Sequence, residues 1–408
     1  MKRVVITGAG AVGPLGGNVP DMVRALDKGV SAVVAMPGWT EYKGLRSWVA
    51  APAVPVNEKS IPRQNRRTMG RLAIYTVIAA EEAVRDADLR RENWSNGRTA
   101  CVVGSTMGSA GSLHESFEMM YPDKNLANLT SVKFFQCVSH TAALNLSQYL
   151  NIQGVVQATS AARASGLQAI GAGFDLIRTG RQDLALCGGA EELHPTVTGS
   201  FDVLYATSVR YNETPQQTPR PFDRDRDGLV CGEGAGIVVL EEYERAVARG
   251  ARIYGEILGY QTCGSGDHVS QSNAGAMARC MRGALSESGL PPEEIDYISA
   301  HATATVQGDV EEALAIAEVF GDRPPVSSLK GHMGHTLGAS GAIELILSLQ
   351  MMEQGVIYPT LNLKTIDPAC AGIRHVQTIE RQPLRTLLKN SFAFGGINAA
   401  LVFRKAEK

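Results

Sequence analysis

Short runs of β-branched and other apolar residues alternate along this chain with longer stretches in which apolar positions recur every three or four residues. Runs of the first kind lie at 3–7, 99–104, 184–188, 236–241, 252–259, 297–300, 326–328 and 390–403. They show little polar alternation, so they predict strands covered on both faces. Stretches with helical spacing lie at 71–87, 166–179, 273–288, 308–320 and 340–354. Their order predicts an α/β protein built in layers. Residues 35–68 and 109–130 are more polar and lack a period, so they read as irregular surface excursions rather than linkers. A similar alternation of strand-plus-glycine and Ala-rich helix runs on either side of Arg249-Gly250, although no repeated sequence ties the two halves together.

Composition narrows the class. The chain has 408 residues, 44% of them apolar and 20% charged, enough for a large core or two fused halves. Lysine and arginine number 39 against 41 acidic residues, so no global field favours nucleic acid or a membrane surface. No run is apolar for long enough to span a bilayer. Met1-Lys2-Arg3 precedes only a short apolar run that breaks into glycine, which reads as a first strand rather than a secretory leader. Seven cysteines are scattered with no metal-ligand spacing and no disulfide framework, so a reducing cytoplasm is expected and a metal is not.

Candidate chemistry gathers in four segments. His301 lies in Ser299-Ala300-His301-Ala302-Thr303-Ala304-Thr305, and His335 in Lys330-Gly331-His332-Met333-Gly334-His335. Both stand at the ends of apolar runs among small residues, where an imidazole can point into a cavity. A converging pair is suited to polarising an oxygen or moving protons. Alone, either reads better as a satisfied core or loop residue; together, with Lys330 and the Gly-rich terminal loop nearby, the pair reads as functional. In Asn390-Ser391-Phe392-Ala393-Phe394-Gly395-Gly396-Ile397-Asn398, two glycines after an aromatic let the backbone approach a ligand and aim its N–H groups, although a strand bulge would look the same. Gln157-Ala158-Thr159-Ser160-Ala161-Ala162-Arg163-Ala164-Ser165-Gly166 leads straight into a helix. Such an elbow presents one side chain where helix-end N–H groups favour an anion. Here that residue is Arg163, which stays protonated. A surface arginine opening a helix is the plainer reading, but unbroken small residues on both sides imply a crowded, buried setting. Finally, Asp223-Arg224-Asp225-Arg226-Asp227-Gly228 has the spacing of a calcium loop. Position twelve is Gly234 instead of glutamate, so structural ion pairing is the better reading.

Together these segments resemble the elongating β-ketoacyl-acyl-carrier-protein synthases, condensing enzymes of the thiolase fold. The motifs are 301–305, Gly308-Asp309 with Glu312, 330–335, 390–398, 222–234, Cys187-Gly188-Gly189-Ala190-Glu191-Glu192 and the Val4-Val5-Ile6-Thr7-Gly8 start. The resemblance implies an α/β, thiolase-like fold. Two similar βαβαβ halves, 1–249 with the nucleophile elbow and 250–408 with both histidines, would form a five-layered α-β-α-β-α core. It implies decarboxylative Claisen condensation of acyl and malonyl thioesters in fatty acid or polyketide (including polyene) biosynthesis. Substrates would arrive on the phosphopantetheine arm of acyl carrier protein, so no cofactor is implied, and the protein would be a cytoplasmic homodimer or heterodimer.

By the same resemblance, His301 and His335 are the catalytic histidines and Lys330 and Glu312 the supporting charges that fix ring orientation and protonation. Thr303 and Thr305 would contact the phosphopantetheine arm. The Phe394 N–H, with Gly395 beside it, would serve an oxyanion hole, and Phe392 and Phe394 would gate the pocket. Met107 and Phe134-Phe135 would line an acyl tunnel, with ordinary core packing as the alternative. Arg63, Arg66 and Arg67, with Arg71, would form the basic dock for an acidic carrier protein, with a solvated helix face as the alternative.

One position departs. Where the family has its nucleophilic cysteine this chain has Arg163, within flanks that match without gaps. Ala302 and Ala304 stand where the family commonly has glycine and serine. Three functions follow: a condensation-defective ketosynthase, a non-catalytic chain-length-factor-like subunit, or a malonyl decarboxylase in which Arg163 holds the carboxylate or mimics an occupied site.

Overall fold

A computed structural model describes residues 1–121, 123–268 and 271–407. Among them, eleven strands join into one mixed sheet. In chain order these are β1 (Val4–Val12), β2 (Thr99–Gly104), β3 (Val156–Gln157), β4 (Leu184–Glu191), β5 (Gly234–Glu242), β6 (Gly255–Gly264), β7 (Tyr297–Ser299), β8 (Pro325–Ser327), β9 (Arg374–His375), β10 (Thr386–Ala393) and β11 (Ile397–Lys405). The first five lie in the order β3-β2-β4-β5-β1, the next set in the order β8-β7-β10-β11-β6, and β9 extends the far edge. In each half the first three strands of that order are parallel and the last two pairings antiparallel. The halves meet where β1 pairs with β6 over two residues, Val5 opposite Glu256 and Ile6 opposite Gly255.

Helices cover the strands in three layers. They are α1 (Arg71–Asp86), α2 (Ala110–Met120), α3 (Thr141–Leu150), α4 (Ser165–Arg178), α5 (Ala274–Ser288), α6 (Val306–Phe320) and α7 (Ser340–Gln354). α1 and α3 pack on the outer face of the first half, and α5 with α6 on the outer face of the second. α4 and α7 touch each other and strands of both halves, so they form the middle layer. The apolar core divides accordingly. Leu167, Ile170, Ile343 and Ile346 join side chains of both halves in one cluster, Leu72 and Val77 anchor a second, and Met281 and Ile316 a third. The expected five layers are therefore present. β1, β2, β4 and β10 are buried along their whole length, which explains why their sequences carry no polar alternation.

Two expectations fail. The run 390–403 is two strands, because Ala393 pairs with Ile397 and the chain reverses through Phe394-Gly395-Gly396. Gly395 and Gly396 have φ of 86° and 73°, a left-handed conformation that glycine adopts without a Cβ penalty, so the pair makes a hairpin rather than a bulge. The stretch 109–130 is not irregular throughout: it contains α2, capped by the Ser109 side chain accepting from the Ser112 N–H. Its exposed apolar residues hid the helical period, because Leu113, Phe117 and Met119 face outward.

Candidate active site

The elbow after β3 is tight. Ala162 takes φ of +47°, and Ala164 and Ser165 donate back to the carbonyls of Ala161 and Ala162. The Ser165 hydroxyl accepts from the Ala161 N–H at 2.9 Å, tying the turn to the start of α4. A left-handed alanine is strained by about 1–2 kcal/mol, so the surroundings must hold it there. Three backbones meet beneath it. A Cβ on Gly189 would lie 2.1 Å from the Gly338 carbonyl oxygen and 2.8 Å from the Gly166 Cα. Gly189→Ala is expected to lower stability by about 2 kcal/mol or more, read as a fall in the unfolding midpoint, because no flexible side chain can yield.

Arg163 leaves this turn inward and is 4% exposed. Its guanidinium carbon lies 4.0 Å from the Phe394 ring centroid and 4.8 Å from that of Phe201. Among the described residues no carboxylate comes within 4.0 Å of it. Burial pushes its pKa down to about 10, so it remains a cation at neutral pH.

The two imidazoles meet on the other side. The ring centroids of His301 and His335 are 5.2 Å apart with planes at 79°, and Phe392 lies 6.3 Å from His301. The His301 loop is held by helix α6. Glu312 accepts from the N–H groups of His301 and Ala302 at 2.8 and 2.6 Å, and Asp309 accepts from those of Thr303 and Ala304 at 3.0 and 3.1 Å. The three-residue spacing of Asp309 and Glu312 puts both carboxylates on the helix face below that loop. His335 follows a single helical turn, Lys330–Met333, and its N–H donates to the Val230 carbonyl at 2.7 Å.

Neither Lys330 nor Glu312 hydrogen-bonds to an imidazole, so neither orients a ring directly, while Lys330 acts on the protonation of both rings through its charge. Glu312 holds backbone. The Lys330 ammonium pairs with Glu344 at 2.5 Å, and the second oxygen of Glu344 takes Lys389, also at 2.5 Å. All three side chains are buried. Burial, then the nearby lysines and Arg163, hold both histidines well below the ordinary 6.5, His301 through His335 as well. Below about 6.5 the unfolded chain binds protons that the folded histidines refuse, so stability falls with acidification, by up to about 1.4 kcal/mol per pH unit for each ring. In the folded protein, imidazole NMR resonances of both residues are expected to stay constant between about pH 6 and 8, while an unfolded control titrates.

Arg163, His301, Thr303, Thr305, Phe392 and Phe394 line one cavity of about 30 Å³, and Ser272, Met277, Ala302, Gly308, Ala393 and the carboxylate residues Asp309 and Glu312 complete the wall. The Thr303 and Thr305 hydroxyls lie 3.1 Å apart. His335 stands behind His301, off the wall, and Gly395 sits in the hairpin turn beside Phe394. The structure does not bring Met107 to this cavity: it is 44% exposed, and Phe134 and Phe135 are exposed as well. Arg63 and Arg67 border a shallow surface depression, Arg66 donates to the Ile61 carbonyl, and Arg71 faces Glu233 at 3.5 Å. In the Asp-rich loop, Asp223 accepts from Arg220 and from the Lys364 and Thr365 N–H groups, which is the structural pairing expected there.

Phe201, Glu344 and Lys389 were not singled out by the sequence reading. The last two carry a signal: each is a lone charge within an apolar run, and a buried charge requires a partner. Phe201 carries none.

Comparison with known proteins accords with this geometry. Residues 1–246 match the family model described as β-ketoacyl synthase, N-terminal domain, and residues 254–364 match β-ketoacyl synthase, C-terminal domain. The chain is 38% identical over 408 residues to 3-oxoacyl-[acyl-carrier-protein] synthase 1 of Haemophilus influenzae, covering 99% of each. A crystal structure of a β-ketoacyl synthase from Burkholderia phymatum superposes with a TM-score of 0.97 at 44% identity, covering 100% of both chains. The ishigamide ketosynthase/chain length factor superposes at 0.92 with 31% identity, again over 100% of both.

Proposed function

This chain belongs to the β-ketoacyl synthase family, and from that premise we propose that it is a condensation-silent member, acting beside an active ketosynthase in a fatty acid or polyketide pathway. The observation that carries the reading is Arg163. It occupies the strand-to-helix elbow, is buried, and shares a cavity wall with His301. A guanidinium has no usable lone pair and cannot form a thioester. No thiol lies on that wall among the described residues. Cys231, which bridges to His335 through the backbone and feels the charge of Arg163, lies off that wall, and desolvation lifts it to about 12, far from a thiolate.

Two further observations support a role beside a partner. Leu113, Phe117, Tyr121, Phe134 and Phe135 are large apolar side chains exposed over α2 and the segment after it. A soluble monomer rarely leaves that much apolar surface uncovered, so a second ketosynthase-type chain is the occupant we assign. The ishigamide protein, whose name joins a ketosynthase to a chain length factor, is a full-length structural match. Acyl carrier protein is the proposed partner, met electrostatically by Arg63 and Arg67; such exposed charges steer encounter more than they hold the complex.

The test uses the full chain with acyl- and malonyl-loaded carrier protein. Alone, it is expected to gain no acyl mass and form no β-ketoacyl product, and light scattering is expected to show a mixed assembly with an active ketosynthase of the same pathway. An acyl adduct on the native chain, followed by product, would overturn the reading.

A further inference from the structure

Cys263 and Cys280 form a pair of thiols that the candidate active site does not use. Cys263 lies near the end of β6, half-buried between the exposed Thr262 and Gly264, and Cys280 is fully buried on the side of α5 that packs on that strand. Each sulfur reaches across to the other's element. The Cys263 Sγ is 3.6 Å from the carbonyl oxygen of Ala276, one helical turn before Cys280. The Cys280 Sγ is 3.4 Å from the carbonyl oxygen of Gln261, two residues before Cys263. The two side chains also hydrogen-bond to each other.

A free thiol often serves only as a small apolar side chain, and burial lifts Cys101, Cys187, Cys231 and Cys370 above the ordinary thiol range accordingly. Cys263 goes the other way. Its hydrogen bond with Cys280, helped by the charge of Arg279 and by the Asn398 side chain, outweighs desolvation and pulls it down to about 6. The same bond, with burial, drives Cys280 upward. A reachable, easily ionised sulfur therefore stands beside a buried second thiol, which is the arrangement that oxidation to a disulfide requires.

We propose that Cys263 and Cys280 are a redox-modification site, in which Cys263 reacts with a small hydroperoxide and Cys280 resolves the product to an intrachain disulfide. The Cys263 thiolate attacks one oxygen of hydrogen peroxide. The O–O bond breaks, and the departing hydroxide takes up the proton lost by the Cys263 thiol, leaving water and a sulfenic acid. The Cys280 sulfur then attacks the Cys263 sulfur. An S–S bond forms, the S–O bond breaks, and a second water leaves with the Cys280 proton. The two sulfurs together give up two electrons, which the peroxide accepts. A dithiol reductant of a reducing compartment reverses the change. The bridge has a consequence for the pocket, because it closes the run between β6 and α5. In that run the Ser265 N–H donates to the Gly396 carbonyl at 2.8 Å and Ser272 stands on the cavity wall, so oxidation stiffens one side of the cavity. Residue 163 takes no part.

The experiment is intact-mass analysis and peptide mapping of the full chain after exposure to hydrogen peroxide, with thiols counted in denaturant before and after. The native chain is expected to lose two hydrogens and two of its seven thiols, to yield a disulfide-linked peptide pair joining residues 263 and 280, and to recover every thiol with dithiothreitol. Before oxidation, iodoacetamide at neutral pH is expected to label Cys263 about tenfold faster than any other cysteine of the folded chain. The oxidised chain is expected to unfold at a higher midpoint, a rise that dithiothreitol cancels. Cys280→Ala is expected to stop at the sulfenic acid, one oxygen heavier and reactive toward dimedone, and Cys263→Ala to form no bridge. Retention of all seven thiols by the native chain, a disulfide that maps to other cysteines, or equal thiol loss from Cys263→Ala overturns the proposal. The readouts on the native chain decide the matter even where a variant does not fold.

Discussion

Arg163→Cys is expected to change the chain from one that takes up no acyl group to one carrying close to one acyl group per molecule after exposure to acyl-loaded carrier protein, read as a mass increase on the intact chain. The turn that would present the thiol is already built: Ala162 is held left-handed, Ser165 ties the loop to α4, and α4 begins two residues beyond position 163. A helix N-terminus favours a thiolate. The same change removes one of the cations that depress both histidines, so their pKa values rise, although burial and Lys330, the larger causes, still hold them low. A cysteine that folds normally but stays unlabelled would show that the defect lies elsewhere in the pocket, with Ala302 and Ala304 the first places to look.

Glu344→Gln is expected to be among the most damaging single changes away from the cavity wall. Glu344 alone accepts from both Lys330 and Lys389, each at 2.5 Å and each fully buried. Losing the carboxylate leaves two ammonium groups in the core, and breaking one buried pair costs about 3–5 kcal/mol. The loss is read as a large drop in thermal midpoint, or as loss of soluble protein. Glu344→Gln combined with Lys389→Met is expected to recover part of it, because one of the stranded charges is gone. Equal stability of the single variant and the native chain would mean that the lysines find another anion.

Much of this was legible in the chain itself. Apolar runs without alternation gave the buried strands, since a strand covered on both faces has no wet side to mark with polar residues. Small residues around 301, 163 and 395 pointed to one crowded place, and Arg163, His301, Phe392 and Phe394 do share a cavity. Contacts between side chains far apart in sequence were not legible. Glu312 holds the His301 loop by its backbone, which no residue type reveals. The partner of Lys330 lies on α7 and is shared with a strand, and only the packed core brings the three together. Helix α2 was lost because its outward face is apolar, the reverse of the pattern by which a surface helix is recognised.

The repeated strand order sets Arg163 and His335 in matching seats. One lies between β3 and α4, the other between β8 and α7, and those strands and helices hold the same places in the two halves. The pocket is thus a seam feature: one half lends the guanidinium, the other the imidazoles, and neither owns a working set. Severed in the stretch between Glu242 and Gly255, the molecule would yield two pieces that are each chemically mute, and the site would return only as fast as they find one another again.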